Sequence, residues 1–294
     1  MTSPLIGPDD LAPRLDDPSW LVVDCRYDLK DLEAGRRAYR ESHVAGAVYA
    51  DCLHDLSGPP VTDRGRHPLP TPGALERTFS RLGVGPATTV VGYDASGGPY
   101  AARLWWLLQY AGHDRALALD GGWQAWHAAG GPVRAGEESR EATTFRARPR
   151  RERVVTADAV PAQRRLVDAR EAVRFRGEQE PIDAVAGRIP GAVNRPWKEN
   201  LEPDGRFKPP AVLRAAFEQA LAGTPADGAA VYCGSGVTAC HDVLAMVVAG
   251  LPMPKLYAGS WSDWISDPGR PVSTGDDPPS DRPSGPPPNA PRPR

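Results

Sequence analysis

The sequence predicts an α/β protein made of two tandem copies of one domain, each a mostly parallel sheet flanked by helices. Four segments recur in the same order at offsets of 138 to 145 residues. Leu-Val-Val-Asp-Cys-Arg at 21–26 returns as Leu-Val-Asp-Ala-Arg at 166–170, and His-Val-Ala-Gly-Ala at 43–47 as Arg-Ile-Pro-Gly-Ala at 188–192. Thr-Val-Val-Gly-Tyr-Asp at 89–94 lines up with Ala-Ala-Val-Tyr-Cys at 229–233, and Gly-Gly-Trp-Gln-Ala-Trp at 121–126 with Gly-Ser-Trp-Ser-Asp-Trp at 259–264. Four matches in register indicate a duplicated domain. A chain of 294 residues, 40% of them hydrophobic, has room for two cores.

Each half alternates β-branched runs with helical patterns. Residues 21–24 and 166–168 are apolar runs that end at an acidic residue, as buried strands do. The next runs, 90–93 and 230–232, lead into Gly-containing sequence. Amphipathic segments follow at 100–110 and 237–249, and then strand candidates at 117–119 and 256–257. Strand and helix alternating at this spacing predict a mostly parallel sheet. Ligands of such sheets sit beyond the carboxyl ends of the strands. Domains are expected at 9–132 and 154–271, joined by an Arg- and Glu-rich, solvated connector at 133–153. Residues 272–294, with eight prolines, bury too little apolar surface to offset their chain entropy and are expected to be disordered.

Charge and composition exclude several classes. With 35 Lys+Arg against 37 Asp+Glu, the net charge of −2 supplies no drive toward nucleic acid or an anionic membrane. No apolar run approaches the ~18 residues of a membrane span. The N-terminal stretch has neither the basic region nor the apolar stretch of a signal peptide. Four Cys are too few for a disulfide scaffold. The expectation is a cytoplasmic protein. No two Cys or His have ligand spacing and no Gly-rich nucleotide loop is present, so neither metal nor cofactor is expected.

One segment carries chemistry. Ala-Val-Tyr-Cys-Gly-Ser-Gly-Val-Thr-Ala-Cys-His-Asp at 230–242 reads as strand, loop and helix, with Cys233 at the mouth of the helix. Gly234 and Gly236 let consecutive N–H groups turn toward one point, and Thr238 is placed to cap the helix or to bond within the loop. A free thiol of pKa ≈ 8.5 is only ~3% thiolate at pH 7. Lowering it to about 6.5 makes roughly three quarters of it thiolate and requires ~2.7 kcal/mol. The helix terminus supplies ~0.3–1 kcal/mol, and loop N–H bonds to the anion must supply the rest. Cys25, Cys52 and Cys240 lack this setting and read as small buried hydrophobes. His54, His67, His113, His127 and His241 are scattered and read as structural or exposed.

The duplicated halves, the Cys-Gly-Ser-Gly-Val-Thr-Ala loop at 233–239, the Tyr39 and His43 element and the Gly-x-Trp-x-x-Trp near each domain's end resemble the tandem-domain rhodanese family of sulfurtransferases. The likeness runs from about Asp9 to Pro271. It implies a silent first domain and an active second one. Asp94 stands in the first half where Cys233 stands in the second, and a carboxylate cannot form a persulfide.

The resemblance implies two-step transfer through a Cys233 persulfide, with the outer sulfur passing to cyanide, a small thiol or a reduced protein thiol. Gly234, Ser235, Gly236, Val237 and Thr238 would hold the anion and Arg174 would bind the donor's charge. Family members that favour thiosulfate carry cations directly after the cysteine; Gly234 and Ser235 are neutral, which favours 3-mercaptopyruvate. The second arginine that mercaptopyruvate enzymes carry after the Glu-Pro of this element is absent from Glu-Pro-Ile-Asp at 180–183, and Arg188 is one candidate to replace it. His43 reads as a structural histidine near a domain edge, or as a proton carrier if it reaches the cleft. Two rival readings compete with this one. A Cys-dependent phosphatase needs Arg six residues after the cysteine, where this chain has Ala239. A non-catalytic sulfur carrier would react once without turnover.

Overall fold

In the computed structural model, which describes residues 3–59 and 65–275, the two halves build the same sheet. The first comprises β1 (Leu5–Ile6), β2 (Trp20–Asp24), β3 (Val48–Tyr49), β4 (Thr89–Tyr93) and β5 (Ala116–Leu119), in the spatial order β1-β5-β4-β2-β3. The second comprises β6 (Val154–Val155), β7 (Arg165–Asp168), β8 (Ala192–Asn194), β9 (Ala229–Tyr232) and β10 (Lys255–Tyr257), in the order β6-β10-β9-β7-β8. The order is the same in both, and every pairing within the two sheets is parallel. Val22 faces Val91 across β2 and β4; Val167 faces Val231 across β7 and β9. Both faces of such sheets are covered, so their central strands are continuous apolar runs rather than alternating ones.

The helices are α1 (Ala34–Glu41), α2 (Pro72–Arg81), α3 (Pro99–Tyr110), α4 (Gly122–Ala128), α5 (Ala172–Phe175), α6 (Pro210–Leu221), α7 (Thr238–Val248) and α8 (Ser260–Trp264). α3 and α7 follow the equivalent strands β4 and β9 and pack against each other. Trp105, Trp106 and Leu108 of α3 share one core with Val243, Leu244 and Met246 of α7. Neither helix keeps the solvent face that an amphipathic segment would have: nearly all of each is buried, charged Arg103 of α3 and Asp242 of α7 included. The two units are thus joined through the helices that begin at their equivalent loops.

The recurring motifs form a recurring buried device. Asp24 pairs with Arg26 and Asp168 with Arg170, each pair almost fully buried. Arg26 lies 4.6 Å over Trp123, and Arg170 4.7 Å over Trp261. The second Trp of each motif donates to a carbonyl, Trp126 to Pro132 and Trp264 to Pro271. The Gly-x-Trp-x-x-Trp repeat therefore clamps the carboxyl end of the central strands, where the site lies.

Two expectations change here. The connector is not freely solvated: Phe145 is buried against Phe79, Thr143 N–H donates to Ser80 O, and Arg148 and Arg150 N–H donate to Ala111 and Tyr110 O. Its backbone bonds to the first unit, and so do some of its charged side chains, Arg140 to the Trp20 carbonyl and Arg150 to Asp114. The ordered chain also continues past 271. Ser273 exchanges two backbone hydrogen bonds with Arg188, and Gly275 N–H donates to Arg176 O. The rest of the expected disordered tail, 276–294, lies outside the described residues.

Candidate active site

Cys233 follows β9 directly, and its backbone is held from both sides. Its N–H donates to Ser260 Oγ (3.1 Å), and its carbonyl accepts from Trp261 N–H (2.9 Å). The sulfur accepts the Gly236 N–H at 3.1 Å, and the residue is 1% exposed. Gly236 sits at φ +80°, and a Cβ there would collide with the Ala258 carbonyl. Only glycine can deliver this N–H to the sulfur.

The remaining loop amides do not reach the sulfur itself, contrary to the picture of a full ring of donors around it. Val237 occupies the N-cap of α7 without a side-chain cap, and Thr238 opens the helix instead of capping it. Thr238 lines a cleft of about 390 Å³ together with Arg174, Tyr100 and Trp197.

The first unit carries the same loop with its anion built in. Asp94, fully buried, accepts four N–H groups: Ser96 and Gly98 on Oδ1, Tyr100 and Ala101 on Oδ2, at 2.8–3.0 Å. Burial raises its pKa and these four bonds oppose the rise. By the alignment of Asp94 with Cys233, the four donors correspond to Ser235, Val237, Ala239 and Cys240. Cys240 N–H is already given to Val237 O at 3.0 Å.

Residues from the first unit complete the site. His67 Nδ1 lies 2.8 Å from Ser235 Oγ, and both are buried. Burial and the nearby cations Arg103 and Arg66 push the His67 pKa down to about 4, so its ring is neutral at physiological pH. This histidine was expected to be structural or exposed. Nothing in its sequence neighbourhood marks it, because its partner lies 168 residues away. Arg103, fully buried on α3, donates to the Leu56, His67 and Gly236 carbonyls at 3.2 Å each. One guanidinium thus ties the first unit's loops to the loop that holds the sulfur.

Arg174 on α5 does reach the site. Its guanidinium bonds Glu180 (2.7 Å) and Asp183 (3.0 Å) and lies 3.5 Å from where a Cβ on Gly234 would stand. Arg188 does not replace a missing arginine here: it lies 4.5 Å over Phe175 and donates to the Gly275 carbonyl. His43 stacks on Tyr39 (4.3 Å) with Nδ1 on the Tyr39 carbonyl, a structural role. The other thiols are inert by burial: Cys52 and Cys240 are each pushed up to about 12, and Cys25 is raised well above the usual thiol range.

With this geometry in hand, comparison with known proteins is informative. The profile of the rhodanese-like domain matches residues 7–129 and again 153–267. The chain belongs to the rhodanese-like family. A Pseudomonas aeruginosa protein described as "Probable 3-mercaptopyruvate sulfurtransferase" is 48% identical over 281 residues, covering 92% of this chain and 98% of its own. The thiosulfate sulfurtransferase of Bos taurus is 34% identical over 261 residues, 84% of this chain and 86% of that one. Among solved structures, the 3-mercaptopyruvate sulfurtransferase from Leishmania major superposes with a TM-score of 0.79 at 33% identity, covering 88% of this chain and 73% of that one. This member of the rhodanese-like family is a sulfurtransferase, and no helix among its described residues is long and apolar enough to cross a membrane.

Proposed function

We propose that the protein moves a sulfane sulfur from 3-mercaptopyruvate, through a persulfide on Cys233, to cyanide or a thiol acceptor, a reduced protein thiol included. The Cys233 thiolate attacks the donor's sulfur; the new S–S bond forms as the C–S bond breaks, and its electron pair leaves on carbon as the enolate of pyruvate, which then takes a proton. In the second step the acceptor attacks the outer sulfur, and Cys233 is released as thiolate.

The observation that carries this reading is the pair of equivalent loops. Asp Oδ stands one bond beyond Cγ, as the outer sulfur of a persulfide stands one bond beyond Sγ. The first unit's loop holds an anion there with four amides. The amides of Ser235, Val237 and Ala239 would hold the outer sulfur in the same way, while Gly236 N–H holds the inner one. Units 9–132 and 154–271 then divide the labour: the first is silent because Asp94 fills its own cradle, and the second is catalytic.

The neutral Gly234 and Ser235 favour the keto-acid donor. Ser235, held by a neutral His67, can give its hydroxyl proton to the donor's carbonyl or carboxylate. Thiosulfate is the second reading, favoured by the guanidinium of Arg174 beside Gly234. The setting we infer is the cytoplasm, where four unpaired thiols stay reduced. Steady-state kinetics with both donors tests the reading. Pyruvate release from 3-mercaptopyruvate should exceed thiocyanate formation from thiosulfate in kcat/KM; a thiosulfate advantage of about tenfold, some 1.4 kcal/mol, reverses the donor assignment.

A further inference from the structure

We propose that Arg66, supplied by the unit without the nucleophile, is a donor-binding and specificity residue that works as a pair with Arg174. Resting on the sulfur-transfer reading above, the pair would hold the carboxylate of a mercapto-carboxylic acid over Gly234, with its sulfur directed at Cys233.

Three observations converge on this. First, Arg66 is brought to the loop deliberately. Gly65 sits at φ +80°, where a Cβ would stand 2.5 Å from the Gly259 carbonyl of the other unit, and Arg66 N–H donates to Ser262 Oγ at 3.1 Å. The chain can approach so closely only through glycine.

Second, the two arginines are locked side by side. Asp183 bridges them, taking Arg66 Nη1 on Oδ1 and Arg174 Nη2 on Oδ2. Glu180 takes Arg174 Nε and Nη2 together. These carboxylates hold both planes, so a donor would meet a preorganised pair.

Third, the unspent donors point to one place. A Cβ on Gly234 would stand 2.9 Å from Arg66 Nη2 and 3.7 Å from Arg174 Nη1, and neither nitrogen has an acceptor among the described residues. Arg66 Nε is also buried without a partner. Donors left unsatisfied beside a nucleophile are what an arriving carboxylate would satisfy. Gly234, next to the sulfur, leaves the space into which both cations reach. Ile182 follows Glu180 and Pro181, where the family resemblance implies a second arginine; it is 44% exposed, and the cation comes from position 66 instead.

The test reads anion selectivity apart from sulfur transfer. Cys233 is alkylated with iodoacetate, which carries a carboxylate, and with neutral iodoacetamide, in the parent, Arg66→Gln and Arg66→Lys. The iodoacetate-to-iodoacetamide rate ratio should fall about tenfold in Arg66→Gln, the scale of one charged hydrogen bond, and lie between in Arg66→Lys. The KM for 3-mercaptopyruvate should rise about as much, with kcat changed less than about threefold. A ratio in Arg66→Gln within about twofold of the parent's overturns the proposal. Should that variant fail to fold, a parental ratio in Arg66→Lys, which keeps the charge but not the planar fork, overturns it as well. A ratio that falls in a protein turning over neither donor leaves the anion subsite standing and removes the sulfur-transfer reading instead.

Discussion

Ser260 holds the amide of Cys233 on its hydroxyl at 3.1 Å while its own backbone sits in the left-handed region, at φ +57°. The equivalent residue of the first unit is Gly122, at φ +55°, which adopts this conformation freely. A side chain there costs roughly 1–2 kcal/mol. The second unit keeps that strain, and its return is a hydroxyl that also donates to Tyr257 O at 2.9 Å and links the Cys233 backbone to β10.

Ser260→Gly should therefore remove strain and an acceptor together, with a small net change in stability. Ser260→Ala should keep the strain and leave the Cys233 N–H unpaired, a loss of about 1–3 kcal/mol. Urea unfolding checks the order, with Ala less stable than Gly. Both variants should transfer sulfur more slowly than the parent, because the cysteine's amide is no longer held.

Cys233→Ser should abolish transfer and the donor-dependent adduct of about 32 Da, one sulfur atom. Cys240→Ser should keep both. Burial pushes the Cys240 thiol up to about 12, so at pH 7 on the order of one thiol in 10⁵ is ionised. Its S–H is given to the Gly236 carbonyl at 3.2 Å. Intact-mass spectrometry after donor treatment reads both variants, and an adduct surviving on Cys233→Ser would put the nucleophile elsewhere.

His67 gives a pH signature. Its folded pKa, about 4, lies below the unfolded value near 6.5. Between those values the unfolded chain binds a proton that the folded one refuses, so stability is complete above about 6.5 and falls as the pH drops toward 4. The share from His67 is about 3 kcal/mol. Buried His241, pushed down to about 3, acts in the same direction, whereas Asp242, pushed up to about 8, costs stability as the pH rises. The difference between the parent and His67→Gln isolates the first of these. Denaturation across pH 4–7 should be flatter in the variant, and equal slopes would contradict a buried neutral ring.

Much of the fold was legible before any coordinates. The strands at 20–24, 165–168, 89–93 and 229–232 were expected within a residue or two, because a strand covered on both faces must be an unbroken apolar run. The short edge strands β1, β3, β6 and β8 were not, since two or three residues carry no readable period. The turn around the thiol proposed as nucleophile was legible too: Gly236 beside a cysteine at a strand end specifies a local turn, and the turn brings its N–H to the sulfur.

What surrounds that sulfur was decided by tertiary structure. Arg66, His67 and Arg103 reach the loop at Gly234, Ser235 and Gly236 from positions 130 to 170 residues from Cys233 in the chain, and each sits in sequence that would suit an ordinary surface or core residue. Local propensity and periodicity describe how a segment meets itself; they contain nothing about which segment of the other unit will face it. The sequence by itself determined two like sheets and the local turn that holds the Cys233 sulfur. Only the packing of α3 against α7 decided which cations, and which neutral imidazole, would meet the loop that holds it, because that contact sets the two units' loops within hydrogen-bond reach.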